Sequence, residues 1–106
     1  MSLKLDYNVI TSDYSCSSGD TTIIVDTTTA AIQVTLPLAS TENGRIIIVK
    51  DSEGSASVNN ITVESQGSET VEGATSLLIQ SDYGSIILAS SGSEGSYPGW
   101  AFVSTN

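Results

Sequence analysis

Histidine is absent from this sequence of 106 residues. Histidine is the usual general base of enzymes, a member of the Ser-His-Asp and Cys-His catalytic arrangements, and a frequent ligand of transition metals. Without it, acid–base chemistry would have to depend on carboxylates. Cysteine occurs once, as Cys16, which excludes an intrachain disulfide and a multi-cysteine zinc site. No cation flanks Cys16 in SDYSCSSGD, so we expect an inert thiol.

Basic residues are also scarce, since three of them stand against twelve acidic residues and the formal net charge is −9 at pH 7. A field of that sign repels phosphate backbones and anionic lipid, so neither nucleic acid nor a membrane surface is an expected partner. The aliphatic runs are far shorter than the ~20 residues that span a bilayer, and no membrane insertion is expected. The first residues lack the apolar core of a signal peptide, and residues 1–3 are interpreted as a vector remnant.

What the sequence does contain is a succession of short apolar runs separated by turn residues. These runs predict strands, and no window of about eleven residues carries the apolar stripe of a helix. The chain length suits one domain over residues 1–106, with residues 1–8 as a lead-in. Strand spacing of roughly eight to twelve residues predicts a small antiparallel sandwich or a barrel-like meander. The predicted strands are residues 22–26, 31–36, 45–51, 60–64, 69–73, 76–80, 83–90 and 99–104.

The run RIIIVKD at residues 45–51 is the predicted core strand. A continuous β-branched run is typical of a strand that is buried on both faces or against a neighbouring subunit. We therefore expect Ile46, Ile48 and Val49 to lie in the core or in a subunit interface. The faint likeness of TIIVDTTT to IIVKDSEG, which includes part of this run, is too weak to predict a solenoid.

The aromatic residues near the C-terminal end admit two interpretations. Trp100 and Phe102 alternate with Ala101, so both rings are expected on one face of the last strand, in the core or in a subunit interface. In the alternative, Tyr97 and Trp100 form an exposed aromatic platform that binds a sugar.

The segment DSEGSASVNNITV at residues 51–63 raises the question of a calcium site, because Asp51 and Glu53 could offer oxygens on one tight loop. A calcium loop of the helix–loop–helix kind requires glycine at its sixth position and a bidentate carboxylate at its twelfth. Those positions hold Ala56 and Thr62. We predict a solvated connection that binds no metal.

Five segments in order carry a resemblance to a known family: IIVDTTTAAIQVTLP, NGRIIIVKDSEG, NNITVES, GSETVEGATSLLIQSDYGSIILASSG and a closing WAFV. The chain resembles a recurrent all-β module of bacteriophage and large-virus structural proteins, found on tail fibres, tail tips and head fibres or decorations. The likeness covers residues 9–103. The loop SSGSEGSYPGW departs from it, because a short turn is usual before the tryptophan.

The resemblance implies a function in the virion, after synthesis in the host cytoplasm. Modules of this family commonly form homotrimers, so the implied partners are further copies of the chain, other virion proteins and a glycan of the host surface. Within the family, residues 51–63 correspond to a linker between two strands. The first hypothesis is therefore a rigid trimeric spacer or tip of a fibre.

Two hypotheses from other classes stand beside the virion module. One is a carbohydrate-binding domain without catalysis, which would use the aromatic platform. The other is a glycan-cleaving enzyme with paired carboxylates, Glu64 with Glu69 or Glu72. Such catalysis needs two carboxyl groups about 5–10 Å apart in a cleft, and a chain this short has little material from which to build one. We therefore expect no enzymatic activity and no cofactor.

Overall fold

The computed structural model describes residues 7–17, 19–41, 44–90 and 99–105, with the backbone alone at the last two positions. The described residues form ten strands and one short 3-10 helix at Ala39–Thr41. The all-β prediction is confirmed. The strands are β1 (Tyr7–Ile10), β2 (Tyr14–Ser15), β3 (Thr22–Val25), β4 (Ile32–Thr35), β5 (Ile46–Asp51), β6 (Ile61–Glu64), β7 (Thr70–Val71), β8 (Ser76–Ile79), β9 (Ser85–Ser90) and β10 (Gly99–Thr105).

The strands belong to two sheets. Sheet A has the order β1-β3-β5-β9-β10-β7, and sheet B has the order β2-β4-β6-β8. In sheet A, β1, β3 and β5 are parallel neighbours, whereas β9 is antiparallel to both β5 and β10. In sheet B, β2, β4 and β6 are parallel, and only β8 is antiparallel to its neighbour. The expected antiparallel arrangement is therefore wrong, since both sheets are mixed.

The cause of the parallel pairing is the path of the chain. From β1 to β6, successive strands alternate between sheet A and sheet B. The chain thus returns to the same sheet after a full turn, and the new strand runs in the same direction as the previous strand of that sheet. This winding is of the solenoid type, which the sequence did not predict. The antiparallel pairs come from β8, which pairs with β6, and from β9, which pairs with both β5 and β10.

The core lies between the two sheets and is made by alternate residues of each strand. Leu36 and Ala39, which follow β4, and Ala56 in the loop after β5 are also fully buried. The buried side chains of the strands include Ile23, Val25, Ile47, Val49, Leu88 and Trp100 from sheet A and Ile32, Val34, Ile61, Val63 and Ile79 from sheet B.

Strand β5 lies at the middle of sheet A, but only one of its faces is covered by the residues that the structure describes. Ile47 and Val49 are fully buried, whereas Ile46 is 38% exposed and Ile48 is half-buried. Of the two places expected for these residues, Val49 lies in the core of the chain, whereas Ile46 and Ile48 lie on the outer face of sheet A, where the expectation of a subunit interface stays a prediction. The reason is the pleat, which points neighbouring residues to opposite faces.

No helix in the described ranges is long and apolar enough to cross a membrane.

Candidate functional site: the uncovered face of sheet A and its surroundings

The outer face of sheet A is apolar. Because β5 and β9 point Ile47, Val49 and Leu88 inward, their alternate residues point away from the core. The pairing register places Ile48 directly opposite Ile87. The aliphatic and aromatic residues of this outer face are Tyr7, Val9, Ile24, Ile46, Ile48, Ile87, Ala89 and Ala101.

Charge is nearly absent from that face. Among the described strand residues that point outward from sheet A, Lys50 is the one charged side chain, and its Nζ donates to the backbone oxygen of Tyr83. Tyr7 and Val9 at the β1 edge are 67% and 63% exposed. A contiguous apolar face of this kind is uncommon on an isolated soluble domain, and it indicates a surface that becomes covered.

The outer face of sheet B has the opposite character. Its outward strand positions carry Gln33, Thr35, Thr62 and Glu64, and Leu78 is its exposed aliphatic residue. This pattern of inward aliphatic and outward polar residues is normal for a sheet with one face in water. The two sheets share one core but differ on their outer faces, so sheet A is the better candidate for an interface.

The loop that follows β5 is held by a buried carboxylate. Asp51 is fully buried, and its carboxylate accepts the backbone N–H groups of Ala56 at 3.1 Å, Glu53 at 3.3 Å and Tyr83 at 2.8 Å. Such bonds offset the cost of burying the charge. Asp51 therefore organises its own loop, and among the described residues no group of three or more His, Cys, Asp or Glu side chains could hold a metal ion.

Further contacts tie the same loop to its neighbours. The side-chain amide of Asn59 donates to the Thr27 carbonyl at 2.8 Å, and the backbone N–H of Ser57 donates to Asp82 at 2.9 Å. Residues 52–60 thus form a connection that is fixed to two neighbouring turns.

Tyr83 occupies a conformation that is unusual for its residue type. Its φ is +60°, in the left-handed region that favours glycine. The ring lies over Gly54, where a Cβ atom would approach it to 2.5 Å, and Lys50 Nζ is 5.7 Å from the ring centroid. The side chain is nevertheless 55% exposed. An exposed aromatic ring is thus held in one orientation by the groups around it.

Two of the three carboxylates considered for glycan cleavage accept hydrogen bonds from backbone N–H groups. Glu69 is buried, and its carboxylate accepts the N–H groups of Ala39 at 2.6 Å and Ser40 at 3.1 Å at the start of the 3-10 helix. The carboxylate of Glu72 accepts the N–H of Phe102 at 2.6 Å. Glu64 points outward from sheet B. Two of these three carboxylates therefore have a structural role as acceptors of backbone hydrogen bonds.

A polar network near the start of the chain is not evident from the sequence. The buried carboxylate of Asp20 accepts the hydroxyl of Tyr14 at 2.6 Å, the N–H of Ser17 at 2.8 Å and the amide of Asn8. The Arg45 guanidinium donates to the carbonyl of Ser17 at 2.7 Å and to that of Asp20. The hydrogen bond to Asp20 and partial burial raise the pKa of Tyr14. These groups satisfy one another across the β1 edge.

Cys16 lies beside this network, and its side chain is buried. Burial, assisted by the negative charge of Asp20, raises the pKa of the thiol to about 12. A thiol with such a pKa carries almost no thiolate near neutral pH, which agrees with the expectation of an inert cysteine.

Trp100 belongs to the core. It is 2% exposed, and its indole N–H donates to the Pro37 carbonyl at 3.1 Å. The interpretation of Trp100 as an exposed sugar platform is therefore wrong, because neither face of the ring is open to a ligand. Tyr97, its proposed companion, lies outside the described residues.

Phe102 lies on the inner side of β10 opposite Leu88, but it is 39% exposed. It faces a surface groove of about 350 Å³ between the edge of sheet B and sheet A. Phe102 thus reaches the border of the core rather than its centre. The groove is lined by Leu77, Leu78, Ile79, Gln80, Ser81, Ile86 and Phe102.

No protein-family model matches the chain, and no curated protein is significantly similar to it.

Proposed function

We propose that this chain is a structural module of a virus particle, of the tail fibre or head fibre or decoration type, and that it assembles as a homotrimer through the outer face of sheet A. The observation that carries the proposal is the uncovered apolar face around Ile48 and Ile87. The order of sequence motifs that resembles the viral module supports the same assignment. In this trimer the chain is a rigid spacer or tip, and its loops contact other virion proteins and the host surface.

The size of the face is compatible with a subunit contact. Sheet A has six strands, and its central strands β5 and β9 have six residues each. With strands ~4.8 Å apart and ~3.3 Å per residue, the face measures on the order of 25 by 20 Å. This area of about 500 Å² is below the ~800 Å² per partner of a standard interface and falls among the smaller interfaces, which bury less than ~600 Å² per partner. Three such faces around a three-fold axis make a triangular prism.

The distribution of charge favours association through this face. Each chain has a formal net charge of −9, and copies of it repel one another at most orientations. The described strand residues on the outer face of sheet A include no carboxylate. Contact through this face therefore brings aliphatic side chains together and leaves the acidic residues on the outside of the trimer.

A pair of matched lysine variants tests this proposal. Ile48→Lys places a charge at the centre of the proposed interface, whereas Thr62→Lys places the same charge on the outer face of sheet B. We expect multi-angle light scattering to give a monomer for Ile48→Lys and a trimer for Thr62→Lys, while circular dichroism shows that both are folded. A trimer that survives Ile48→Lys would contradict the assigned face.

A carbohydrate-binding domain is the second candidate, and Tyr83 is the observation that favours it. Its ring is 55% exposed and rests on Gly54, and sugars stack on aromatic faces that are held in place. Asn tolerates a positive φ, so Tyr83→Asn removes the ring with little backbone strain. Glycan-array binding that is lost in Tyr83→Asn but kept in Tyr7→Asn, which changes another exposed tyrosine, would support this candidate.

A further inference from the structure

Strand β8 is an edge of sheet B. It pairs with β6 along Ile61↔Ile79 and Val63↔Leu77, and no described strand pairs with its other side. An edge strand presents backbone N–H and C=O groups that can pair with a further strand. In natural domains such edges are usually blocked by charge, proline or a bulge, and the β8 segment SLLI contains neither charge nor proline.

The groove described above runs along this edge. Five of its lining residues are consecutive, from Leu77 to Ser81, and the remaining two are Ile86 and Phe102 of sheet A. One wall of the groove is therefore the β8 edge, and its floor is aliphatic and aromatic. This combination of an open strand edge and an apolar floor is the arrangement that binds extended peptides by strand addition.

The carboxylates near β8 favour a positively charged peptide as the occupant of the groove. Glu64 pairs with Ser76 at one end of β8, and the exposed Asp82 follows the lining residue Ser81 at the other end. Glu72 does not line the groove, but its carboxylate accepts the backbone N–H of Phe102, which does. Lys50 does not line the groove, because it points to the outer face of sheet A, where its Nζ donates to the Tyr83 carbonyl.

We propose that the groove beside β8 binds an extended basic peptide segment of a partner protein, which adds to sheet B as a fifth strand. Alternate apolar side chains of the peptide contact Ile86 and Phe102, and the intervening Lys or Arg side chains face outward, on the side where Glu64 lies. A second copy of this acidic chain is a poor occupant, because its charge opposes the same carboxylates.

This inference does not depend on the proposed trimer. The groove is formed by the edge of sheet B and by inward-facing residues of sheet A, whereas the trimer uses the outer face of sheet A. Either proposal can therefore fail while the other stands.

The probe is a capped peptide of sequence KVKFKVK, compared with EVEFEVE of the same apolar pattern. Binding is measured by isothermal titration calorimetry, and the site is located by amide hydrogen exchange. We expect KVKFKVK to bind saturably and to slow exchange within residues 76–79, and EVEFEVE to bind at least about ten-fold more weakly. No slowing in β8, or equal affinity for the two peptides, would overturn the proposal.

Two matched pairs of variants distinguish binding in the groove from a general electrostatic attraction of the basic peptide to an acidic protein. Phe102→Ala removes part of the floor, whereas Val103→Ala changes the next residue of β10, which is 60% exposed. We expect about a ten-fold loss of affinity in the first and none in the second. Glu64→Gln should weaken binding, whereas Glu53→Gln, in the loop after β5, should not. Equal losses within both pairs would mean that the peptide binds non-specifically and would refute the groove.

Two further measurements on the same samples check that the variants are folded and whether a second copy of the chain fills the groove. Thermal melting checks that Phe102→Ala remains folded. If Phe102→Ala does not fold, Glu64→Gln still tests the groove independently, because Glu64 points outward from sheet B. Hydrogen exchange of the free protein is repeated at two concentrations. Protection of β8 that appears on concentration, without peptide, would show that a second copy fills the groove and would overturn the proposal of a basic partner.

Discussion

The carboxylate of Asp51 accepts the backbone N–H of Tyr83 at 2.8 Å across a separation of 32 residues. The bond joins the end of β5 to the turn that leads into β9, the next strand of sheet A. Asp51 also accepts two N–H groups of its own loop. One buried carboxylate thus fixes the loop after β5 and the reversal that starts the antiparallel part of sheet A.

Replacement of Asp51 by alanine should destabilise the protein strongly. The variant leaves the N–H groups of Ala56 and Tyr83 without their buried acceptor, and each unsatisfied group costs about 1–3 kcal/mol. We expect a loss of roughly 3 kcal/mol or more in the free energy of unfolding, measured by urea denaturation. Glu53→Ala, an exposed carboxylate of the same loop, should change it by less than about 0.5 kcal/mol. Equal effects would contradict the anchoring role.

Glycine is favoured at position 54 for two reasons, which are the positive φ of its backbone and the close approach of the Tyr83 ring. Gly54 and Gly44 have φ values of +76° and +75°, but a Cβ at Gly54 would lie 2.5 Å from the ring, whereas nothing lies within 4 Å at Gly44. Both alanine variants pay about 1 kcal/mol for the left-handed conformation. We expect Gly54→Ala to cost about 1–3 kcal/mol more than Gly44→Ala in urea denaturation. Similar costs would show that the ring moves away freely.

The two faces of β5 should respond differently to truncation. Ile47 is fully buried, whereas its neighbour Ile46 is 38% exposed on the outer face. Ile47→Ala leaves a cavity and should cost about 2–5 kcal/mol in the stability of the folded chain. Ile46→Ala should cost less than about 1.5 kcal/mol when it is measured at protein concentrations low enough to suppress association. A larger loss for Ile46→Ala would contradict the orientation of β5.

Cys16 should be unreactive in the folded protein. With a pKa of about 12, the thiolate fraction at pH 8 is on the order of 10⁻⁴. We expect modification by iodoacetamide to be slow until the protein is unfolded in guanidinium. Because burial raises this pKa from 9.0 to about 12, the unfolded thiol loses its proton first, and the contribution of Cys16 to stability should decline between pH 9 and 12. Rapid labelling of the native protein would contradict the burial.

The strands were predictable because their residues carry local signals. Runs such as TIIV and IIIV, bounded by turn residues, gave all eight strands from β3 to β10 within a few residues. Strand β2 has only two residues, Tyr14 and Ser15, which is too short for any periodicity to appear. The pairing was not predictable, because alternation of the chain between two sheets depends on contacts between distant residues.

The pairing register of β3 and β5 explains why the internal repeat is faint in the sequence. It also explains why the sequence does not separate the outward residues of β5 from its core residues. The sequence match aligns Asp26 with Asp51, but in sheet A the partner of Asp51 is Val25. A shift by one residue sends the two aspartates to opposite faces, so Asp51 is buried and Asp26 is not. The same pleat exposes Ile46. Periodicity alone cannot fix the phase of a continuous aliphatic run, and it therefore could not separate the core face from the outer face.

If the outer face of sheet A joins three copies of the chain, the solution mass of the unmodified protein should be that of a trimer. Sedimentation velocity at about 10–100 μM, with salt near 0.15 M to screen the negative charge, should give a single species of three times the 11.0 kDa chain mass. A species that remains at 11.0 kDa throughout this range would contradict the proposed homotrimer.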